Sequence, residues 1–276
     1  GVSFFIIKVI IMLKECLENV REKSPLIHNI TNYVTANDVA NILLACGGSA
    51  VMADAPEEAE EITSLAAGLC INLGTLNRDK LSAMLLAGKK ANSLLKAVVL
   101  DPVGAGSSKF RTESAKKLLS EIKFSAIRGN ISEIKTLLGD KGGTMGVDAS
   151  LSDMHTDLKD IALEASALSK STGAVVVISG KSDVISDGEK IGIVNNGCSI
   201  MSKITGSGCM LTALTAAFTA ANKENTFEAA LSAAVLMGVC GEFAFENIKK
   251  YGGGNAAFRN HLIDAVFNMD GITLER

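Results

Sequence analysis

Apolar residues fall along the chain in two alternating patterns. Short β-branched runs bounded by glycine or aspartate predict buried strands, and longer segments with apolar residues three or four positions apart predict amphipathic helices. The predicted strands are Ser49–Ala53, Leu69–Leu73, Ala97–Asp101, Ala126–Gly129 and Ala174–Ser179, with Asp183–Ser186 and Lys190–Asn195 as a hairpin around Asp187-Gly188. The predicted helices are Ala36–Cys46, Glu57–Ala67, Arg78–Asn92, Thr112–Lys123, Asp157–Ser171 and Thr226–Asn247. This alternation is typical of an α/β fold with a mostly parallel central sheet and crossover helices on both faces.

No linker rich in proline, glycine or serine divides the chain, and its three prolines are widely spaced. We therefore predict a single domain over residues 13–276. Residues 1–12 are an apolar stretch that Lys8 interrupts and that no small-residue cleavage site follows, so a signal peptide is not expected. They are interpreted as an N-terminal extension of uncertain origin, with Met12 as one candidate for the native start.

Composition narrows the classes of function. A net charge of −3 gives no basic face for nucleic acid or an anionic membrane, so small-molecule ligands fit better. The six cysteines include no C-x-x-C pair, which predicts reduced thiols in a cytoplasm. Three histidines, far apart in sequence, suggest no zinc site. Any metal is therefore expected to have oxygen ligands.

Ligands of open α/β sheets bind beyond the carboxyl ends of the strands, so the segments that close the predicted strands are the candidates for chemistry. One of them, Lys203–Met210, reads Lys-Ile-Thr-Gly-Ser-Gly-Cys-Met and precedes a run of small and apolar helix formers. It predicts a glycine-rich loop that opens a buried helix, where close backbone approach and unpaired N–H groups form an anion site. It matches neither a Walker A loop nor G-x-G-x-x-G, and a plain tight turn is an equally good interpretation of this loop alone.

Two other strand ends carry charged residues. Asp101 opens the glycine-bearing segment Asp101–Gly106, and it is interpreted either as a Mg²⁺ ligand or as a turn-stabilising aspartate. Asn130 and Glu133 have the spacing of a capping box. The functional alternative places Glu133 near a hydrated Mg²⁺ and Arg128 against a polyphosphate. Together these groups are what phosphoryl transfer requires, namely positioning and charge stabilisation.

The same motifs, in the same order, resemble a known family. They are Ser24–Asn32, Val51–Ala53, Asn72–Leu76, Asp101–Gly106, Phe110–Ala115, Ala126–Asn130 with Glu133, and Thr205–Cys209. From about Leu13 to near the C-terminus the chain resembles the hydroxyethylthiazole kinases of the ribokinase-like superfamily. The resemblance implies a three-layer α/β/α fold and a homotrimer with active sites at subunit interfaces. It also implies transfer of the γ-phosphoryl group of ATP, with Mg²⁺, to the hydroxyl of 4-methyl-5-(2-hydroxyethyl)thiazole in thiamine biosynthesis or salvage.

The resemblance also implies roles for individual residues. ATP is expected at Arg128, Ser179, Asp101 and Gly206, the thiazole alcohol at Met52, Gly206 and Asn29, Mg²⁺ at Asp101 and Glu133, and catalysis at Cys209, Gly206 and Gly208. His28 is expected either to line the thiazole pocket or to be structural. The family usually has threonine where this chain has Ser179, which keeps the hydroxyl.

Cys209 stands where most ribokinase-like enzymes have an aspartate general base, and the resembling family has this cysteine. A free thiol titrates near pH ~8.5, and a helix N-terminus lowers that value, so Cys209 is expected to accept a proton as a thiolate. The alternative is a small residue chosen for helix packing.

Three rival functions use the same features. A kinase for another alcohol, such as hydroxymethylpyrimidine or a sugar, would share the phosphate machinery and differ in pocket residues such as Met52. Ribokinase-like nucleotide-hydrate dehydratases end the glycine loop in aspartate, against which Cys209 argues. A non-catalytic nucleotide sensor would not need Asp101, Arg128 and Glu133 together.

Overall fold

The computed structural model describes residues 2–139 and 157–271, with side chains from residue 12 onward. Eight strands form one sheet in the order β2-β1-β3-β4-β5-β6-β7-β8. They are β1 (Leu26–Ile30), β2 (Ser49–Met52), β3 (Gly68–Asn72), β4 (Ala97–Asp101), β5 (Ala126–Asn130), β6 (Val175–Ser179), β7 (Asp183–Ser186) and β8 (Ile191–Val194). The first six run parallel, and β7 and β8 continue the sheet as an antiparallel hairpin. The predicted mostly parallel sheet is confirmed.

Ten α-helices are described in the same ranges. They are α1 (Val2–Lys23), α2 (Ala36–Cys46), α3 (Ala59–Leu65), α4 (Arg78–Ser93), α5 (Lys109–Glu121), α6 (Ile131–Leu138), α7 (Leu158–Thr172), α8 (Ser207–Ala221), α9 (Thr226–Tyr251) and α10 (Asn255–Asn268). Helix α1 runs through the predicted boundary between residues 12 and 13. The interpretation of residues 1–12 as an extension stays a prediction.

The sheet separates two hydrophobic cores. Alternate residues of a strand point to opposite faces, so Val99 of β4 joins the core under α1, α2, α8, α9 and α10, whereas Val98 and Leu100 join the core under α3 to α7. This gives the three-layer α/β/α architecture. Helix α8 lies in the middle of its layer, with every residue from Met210 to Ala221 buried.

One helical stretch, Lys223–Tyr251, is long and apolar enough by composition to cross a membrane. Of its apolar window, however, 67% is buried inside the fold. Helix α9, which makes up most of this stretch, packs against α8 and α10. Burial of this kind is the property of a core helix, and it accounts for the apolar composition without a bilayer.

Most predicted elements agree with the structure to within one to three residues, and the differences have local causes. The predicted helix Glu57–Ala67 shortens to α3 because residues 56–58 form a turn before it. Helix α5 starts three residues earlier than predicted, where the Ser108 hydroxyl caps it by accepting from the Arg111 N–H at 3.2 Å. Strand β1 was not predicted, since His28 and Asn29 interrupt its apolar pattern although both are buried.

Candidate active site

Polar side chains gather where five neighbouring strands end, on the side of the sheet where α8 begins. From β1 to β6 the strands contribute one each in sheet order, namely Asn32 just after β1, Asn72 of β3, Asp101 of β4, Arg128 of β5 and Ser179 of β6. Asn72 and Asp101 are register partners at the ends of their strands. Because the strands run parallel, their carboxyl ends meet at one edge, where open α/β sheets bind ligands.

The glycine-rich segment forms the predicted loop and helix start. Gly206 is the N-terminal cap of α8, with φ +85° in the left-handed region. A Cβ at this position would lie 2.7 Å from Thr35 Cγ2, so both the backbone conformation and the close approach of Thr35 require glycine. As at the start of any α-helix, the N–H groups of the first turn have no carbonyl partner within the helix. They form a partly positive end that suits an anion.

Arg128 lies across this first turn. A Cβ at Gly208 would come within 2.7 Å of the guanidinium carbon, so the second glycine of the loop makes room for the arginine. The guanidinium donates to the Ser179 hydroxyl and lies with Nη1 3.7 Å from Asp101 Oδ1. Its Nε has no hydrogen-bond partner among the described residues. The predicted ATP-binding residues therefore lie together, with unused donor capacity beside the helix start.

Asp101 is fully buried at the end of β4. Its Oδ2 accepts from Asn72 Nδ2 at 2.9 Å and from the Thr212 hydroxyl at 2.8 Å, whereas Oδ1 accepts no hydrogen bond from the described residues. Burial raises the pKa of Asp101 and outweighs Arg128, Thr212 and Asn72, which lower it. An unsatisfied carboxylate oxygen in a buried site is the arrangement expected where another positive group binds.

Glu133 belongs to the capping box at the start of α6. Asn130 Oδ1 accepts from the Glu133 N–H at 2.8 Å, and Glu133 Oε2 accepts from the Asn130 N–H at 2.9 Å. The other oxygen, Oε1, accepts from the Gly104 N–H at 2.9 Å. Burial and the nearby charge of Asp101 raise the Glu133 pKa to about 7, against the effects of Arg128 and the two N–H donors. The capping interpretation is confirmed, and Glu133 also ties the loops after β4 and β5 together.

The two carboxylates fit Mg²⁺ better than a closed metal cage. No group of three or more Asp, Glu, His or Cys side chains able to hold a metal occurs in the described part of the chain. Mg²⁺ usually keeps several waters and binds through one or two carboxylates together with substrate phosphates. Asp101 offers its free oxygen for this purpose, and Glu133, with both oxygens engaged by N–H groups, offers only its remaining lone pairs.

Cys209 lies in the first turn of α8, close to Asn32 and Asn72. The expectation that the helix start lowers its pKa is wrong. Burial, followed by the negative charge of Asp101, raises the pKa of the Cys209 thiol, and the nearby Thr35, Arg128 and Asn72 lower it by less. The dipole effect at a helix end is small beside the desolvation of a buried thiolate. At neutral pH the group is therefore a thiol.

The predicted thiazole-binding residues lie at the β1–β2 end of the sheet. Asn29 and Met52 are register partners on these two strands, and Met52 is 39% exposed. Asn29 is buried, donates to the Ile27 carbonyl at 2.8 Å, and has an Oδ1 without a hydrogen-bond partner among the described residues. His28 is structural, since its two ring nitrogens bond the Thr63 hydroxyl at 2.8 Å and the Ala53 carbonyl at 2.7 Å.

Several site residues were missed from the sequence. Asn32 and Thr35 follow β1, which was not recognised as a strand, so the strand-end rule was not applied to them. Asn72 closes β3 and could have been found by that rule. Thr212 lies inside the apolar run of α8, and nothing in that run distinguishes it from a core residue until its hydroxyl is seen to donate to Asp101.

Comparisons with known proteins agree with this geometry. Residues 17–271 match the model of the hydroxyethylthiazole kinase family. A hydroxyethylthiazole kinase of Clostridium acetobutylicum is 54% identical over 96% of this chain and 97% of its own length. One of Clostridium tetani is 49% identical over 92% of each chain. The solved structure of a hydroxyethylthiazole kinase protein from Pyrococcus horikoshii superposes with a TM-score of 0.82 at 36% identity, over 94% of this chain and 93% of that one. Given this match in sequence and fold, the chain belongs to the hydroxyethylthiazole kinase family.

Proposed function

We propose that this protein uses Mg²⁺ and ATP to phosphorylate the hydroxyl of 4-methyl-5-(2-hydroxyethyl)thiazole, a step of thiamine biosynthesis or salvage. Membership of the family supports the reaction and its substrate. The observation that carries the proposal is the packing of Arg128 across Gly208, which brings a guanidinium, the free N–H groups of α8 and the Asp101 carboxylate to one place.

The polyphosphate of ATP would bind at this place. The N–H groups of the first turn of α8 favour an anion, and Arg128 adds a full positive charge with fork geometry that suits phosphate oxygens. Ser179 accepts from Arg128 and so holds the guanidinium in position before ATP binds. Because the transition state of phosphoryl transfer is loose, charge stabilisation and alignment of this kind are the main contributions that a protein makes.

Asp101 and Glu133 would hold Mg²⁺, which when bound neutralises charge on the phosphate oxygens. Oδ1 of Asp101 accepts no hydrogen bond from the described residues and is available to the metal. Before substrate binds, Arg128 offsets part of the negative charge of the two carboxylates. Glu133 holds the Gly104 loop beside Asp101 through its bond to the Gly104 N–H.

The alcohol would lie between Gly206 and the β1–β2 end, with the thiazole ring against Met52 and near Asn29. Cys209 faces this region as a neutral thiol because burial raises its pKa. We therefore assign the thiol to orienting the substrate hydroxyl, and the minor thiolate form of Cys209 to accepting its proton late, when negative charge has moved onto the transferred group.

The wider expectations belong to the same proposal. We propose a homotrimer in the cytoplasm, with ATP and the thiazole alcohol as its only partners and no role for nucleic acid or membrane. The net charge of −3 supports the small-molecule partners and the six free cysteines support a reducing compartment, whereas the homotrimer rests on the resemblance to the family.

The test is ADP release with Mg-ATP and 4-methyl-5-(2-hydroxyethyl)thiazole, run beside hydroxymethylpyrimidine and ribose, with mass spectrometry of the product. We expect thiazole-dependent ADP and a phosphorylated thiazole. Turnover with another alcohol would keep the kinase and replace the substrate. No ADP release with any of the three alcohols would overturn the proposal and favour a hydrate dehydratase or a nucleotide sensor. Arg128→Ala is the matched variant, and it should lose ATP turnover because the guanidinium has no substitute in the site.

A further inference from the structure

Two buried asparagines surround the sulfur of Cys209. Asn32 Nδ2 lies 3.4 Å and Asn72 Nδ2 lies 3.3 Å from Sγ, distances at which an N–H donates to sulfur. Asn32 follows β1 and Asn72 ends β3, and these two strands are neighbours in the sheet. Cys209 contacts both asparagines from the first turn of α8. Neither asparagine has a role in the proposed reaction so far.

The orientation of each amide is determined by a backbone group. The Gly74 N–H donates to Asn72 Oδ1 at 2.9 Å, and the Thr35 N–H donates to Asn32 Oδ1 at 3.0 Å. A backbone N–H can only donate, so the atom it contacts must be the amide oxygen, and the NH₂ group must lie on the other side. In both residues that side faces Cys209.

The remaining N–H groups of the two amides have acceptors within the same group. Asn32 Nδ2 also donates to Asn72 Oδ1 at 3.0 Å, and Asn72 Nδ2 also donates to Asp101 Oδ2 at 2.9 Å. Gly74 contributes by lacking a side chain, since a Cβ there would lie 2.7 Å from the Asn32 Cβ. Because every N–H group of the two amides has an acceptor, each amide is held in one orientation.

We propose that Asn32 and Asn72 are positioning residues of this site, whose amide groups hold the atom at position 209 as a hydrogen-bond acceptor directed at the substrate hydroxyl. The inference rests on the proposed function and deepens it. The two fixed donors occupy two lone pairs of the sulfur, and the thiolate has a third, which is left for the substrate hydroxyl. The donors favour the thiolate over the thiol, and the thiolate becomes the thiol when it takes up the proton of the alcohol, so they raise the fraction of Cys209 that can accept that proton.

Asn32→Asp is the sharpest test because it exchanges only the NH₂ group for oxygen and keeps the Oδ1 acceptor for the Thr35 N–H. It does not touch Asp101, unlike any change at Asn72. We expect kcat to fall at least 10-fold, with the KM for ATP changed less than 2-fold. In a Cys209→Ala background, where the acceptor is absent, the same substitution should lower kcat less than 3-fold. Equal losses in the two backgrounds would overturn the inference, since a double-mutant cycle isolates the pairwise effect.

A second readout does not depend on turnover and so separates this inference from the proposed function. Alkylation of Cys209 by iodoacetamide at pH 8, followed by mass spectrometry of its peptide, should slow at least 3-fold in Asn32→Asp, because a carboxylate replaces a donor to the thiolate. The partly exposed Cys198 of the same molecule is the internal reference, and Asn41→Asp on the exposed side of α2 is the matched control. An unchanged ratio of Cys209 to Cys198 rates would contradict the inference.

If Asn32→Asp does not fold, Asn32→Ala repeats both comparisons without adding a charge. A wild-type protein with no turnover on any alcohol would refute the proposed function, and the alkylation ratio would still decide the role of the amides.

Discussion

Two amide groups donate to the Cys209 sulfur, and the buried charge of Asp101 lies near it. These neighbours shift the pKa of the thiol in opposite directions. The donors favour a negative group at position 209, whereas burial and Asp101 disfavour one. A thiol is a compromise between them, because it is neutral at rest and its minor thiolate form, which the two donors favour, can accept the proton of the alcohol. The residue that most ribokinase-like enzymes place here, aspartate, would use the same two donors more strongly.

We therefore expect Cys209→Asp to keep or improve kcat and Cys209→Ala to lower it about 10-fold without abolishing it. The alanine variant retains the α8 N–H groups and Arg128, which supply most of the charge stabilisation. Steady-state kinetics with Mg-ATP and the thiazole alcohol measures both variants, and Cys198→Ala, in a partly exposed thiol outside the site, is the control. Complete loss of turnover in the aspartate variant would contradict the role given to this position.

At the scale of the element, the start of α8 depends on two glycines that have no Cβ. Gly206 has no Cβ because of its positive φ and the approach of Thr35, and Gly208 has none because Arg128 occupies the space. Gly206 is therefore required by its backbone conformation as well as by a neighbouring side chain, whereas Gly208 is required only by a neighbouring side chain. Substitutions at the two positions should have different consequences.

Gly208→Ala should impair ATP use while leaving the fold intact. The new Cβ displaces the end of a flexible arginine rather than backbone, and alanine in a helix gains about 0.5–1 kcal/mol over glycine. We expect kcat/KM for ATP to fall at least 10-fold with the melting temperature unchanged or raised. Gly254→Ala, where nothing lies within 4 Å of the new Cβ, is the matched control and should leave both quantities unchanged. A melting temperature that falls together with activity would contradict the steric explanation.

Most elements could be predicted from the sequence because burial imposes a period of two on strands and about 3.6 on helices. Strand β1, which was not predicted, is informative because its buried residues include a histidine and an asparagine. The polarity of His28 is satisfied by Ala53 and Thr63, which lie 25 and 35 positions further along the chain. No pattern in the sequence around His28 indicates these distant partners.

The site also has features that the sequence predicts and features that it does not. Strand-end rules identified Asp101, Arg128 and Glu133, since Asp101 and Arg128 follow apolar runs directly and Glu133 lies in the first turn of the helix after β5. The environment of Cys209 was not predictable, because the atoms that set its pKa come from positions 35, 72, 101 and 128 and meet only in the folded chain. A helix start is visible in the sequence, but the burial that outweighs its dipole is not.

At the scale of the whole molecule, apolar side chains remain uncovered at the carboxyl end of β1 and β2. Tyr33 is 79% exposed, Val34 is 56% exposed and Met52 is 39% exposed. The pair Tyr33-Val34 follows β1 directly after Asn32, and Met52 ends the neighbouring strand. A subunit interface at this edge would cover these side chains and complete the thiazole pocket.

We expect light scattering of the purified protein to give about three times the chain mass of 28.8 kDa. Tyr33→Ser should shift the mass towards the monomer and lower thiazole turnover, since both depend on the same edge. Leu65→Ser is the control, because Leu65 is 71% exposed but ends α3 shortly before β3 begins, at the end of the strands opposite the carboxyl ends of β1 and β2. A monomeric wild-type protein, or equal effects of the two substitutions, would contradict a trimer interface at this edge.

Glu133 has a consequence for how this family diverges. Its two carboxylate oxygens cap α6 and hold the Gly104 loop, so selection for folding alone retains it. A descendant that had lost phosphoryl transfer would keep this residue, whereas the arginine at position 128 would be released from constraint. The glycine at 208 would then be free to change as well, because it serves only the space that the arginine occupies. We therefore expect inactive relatives to keep Glu133 while positions 128 and 208 change together. This pattern would distinguish them from active relatives in genome sequences.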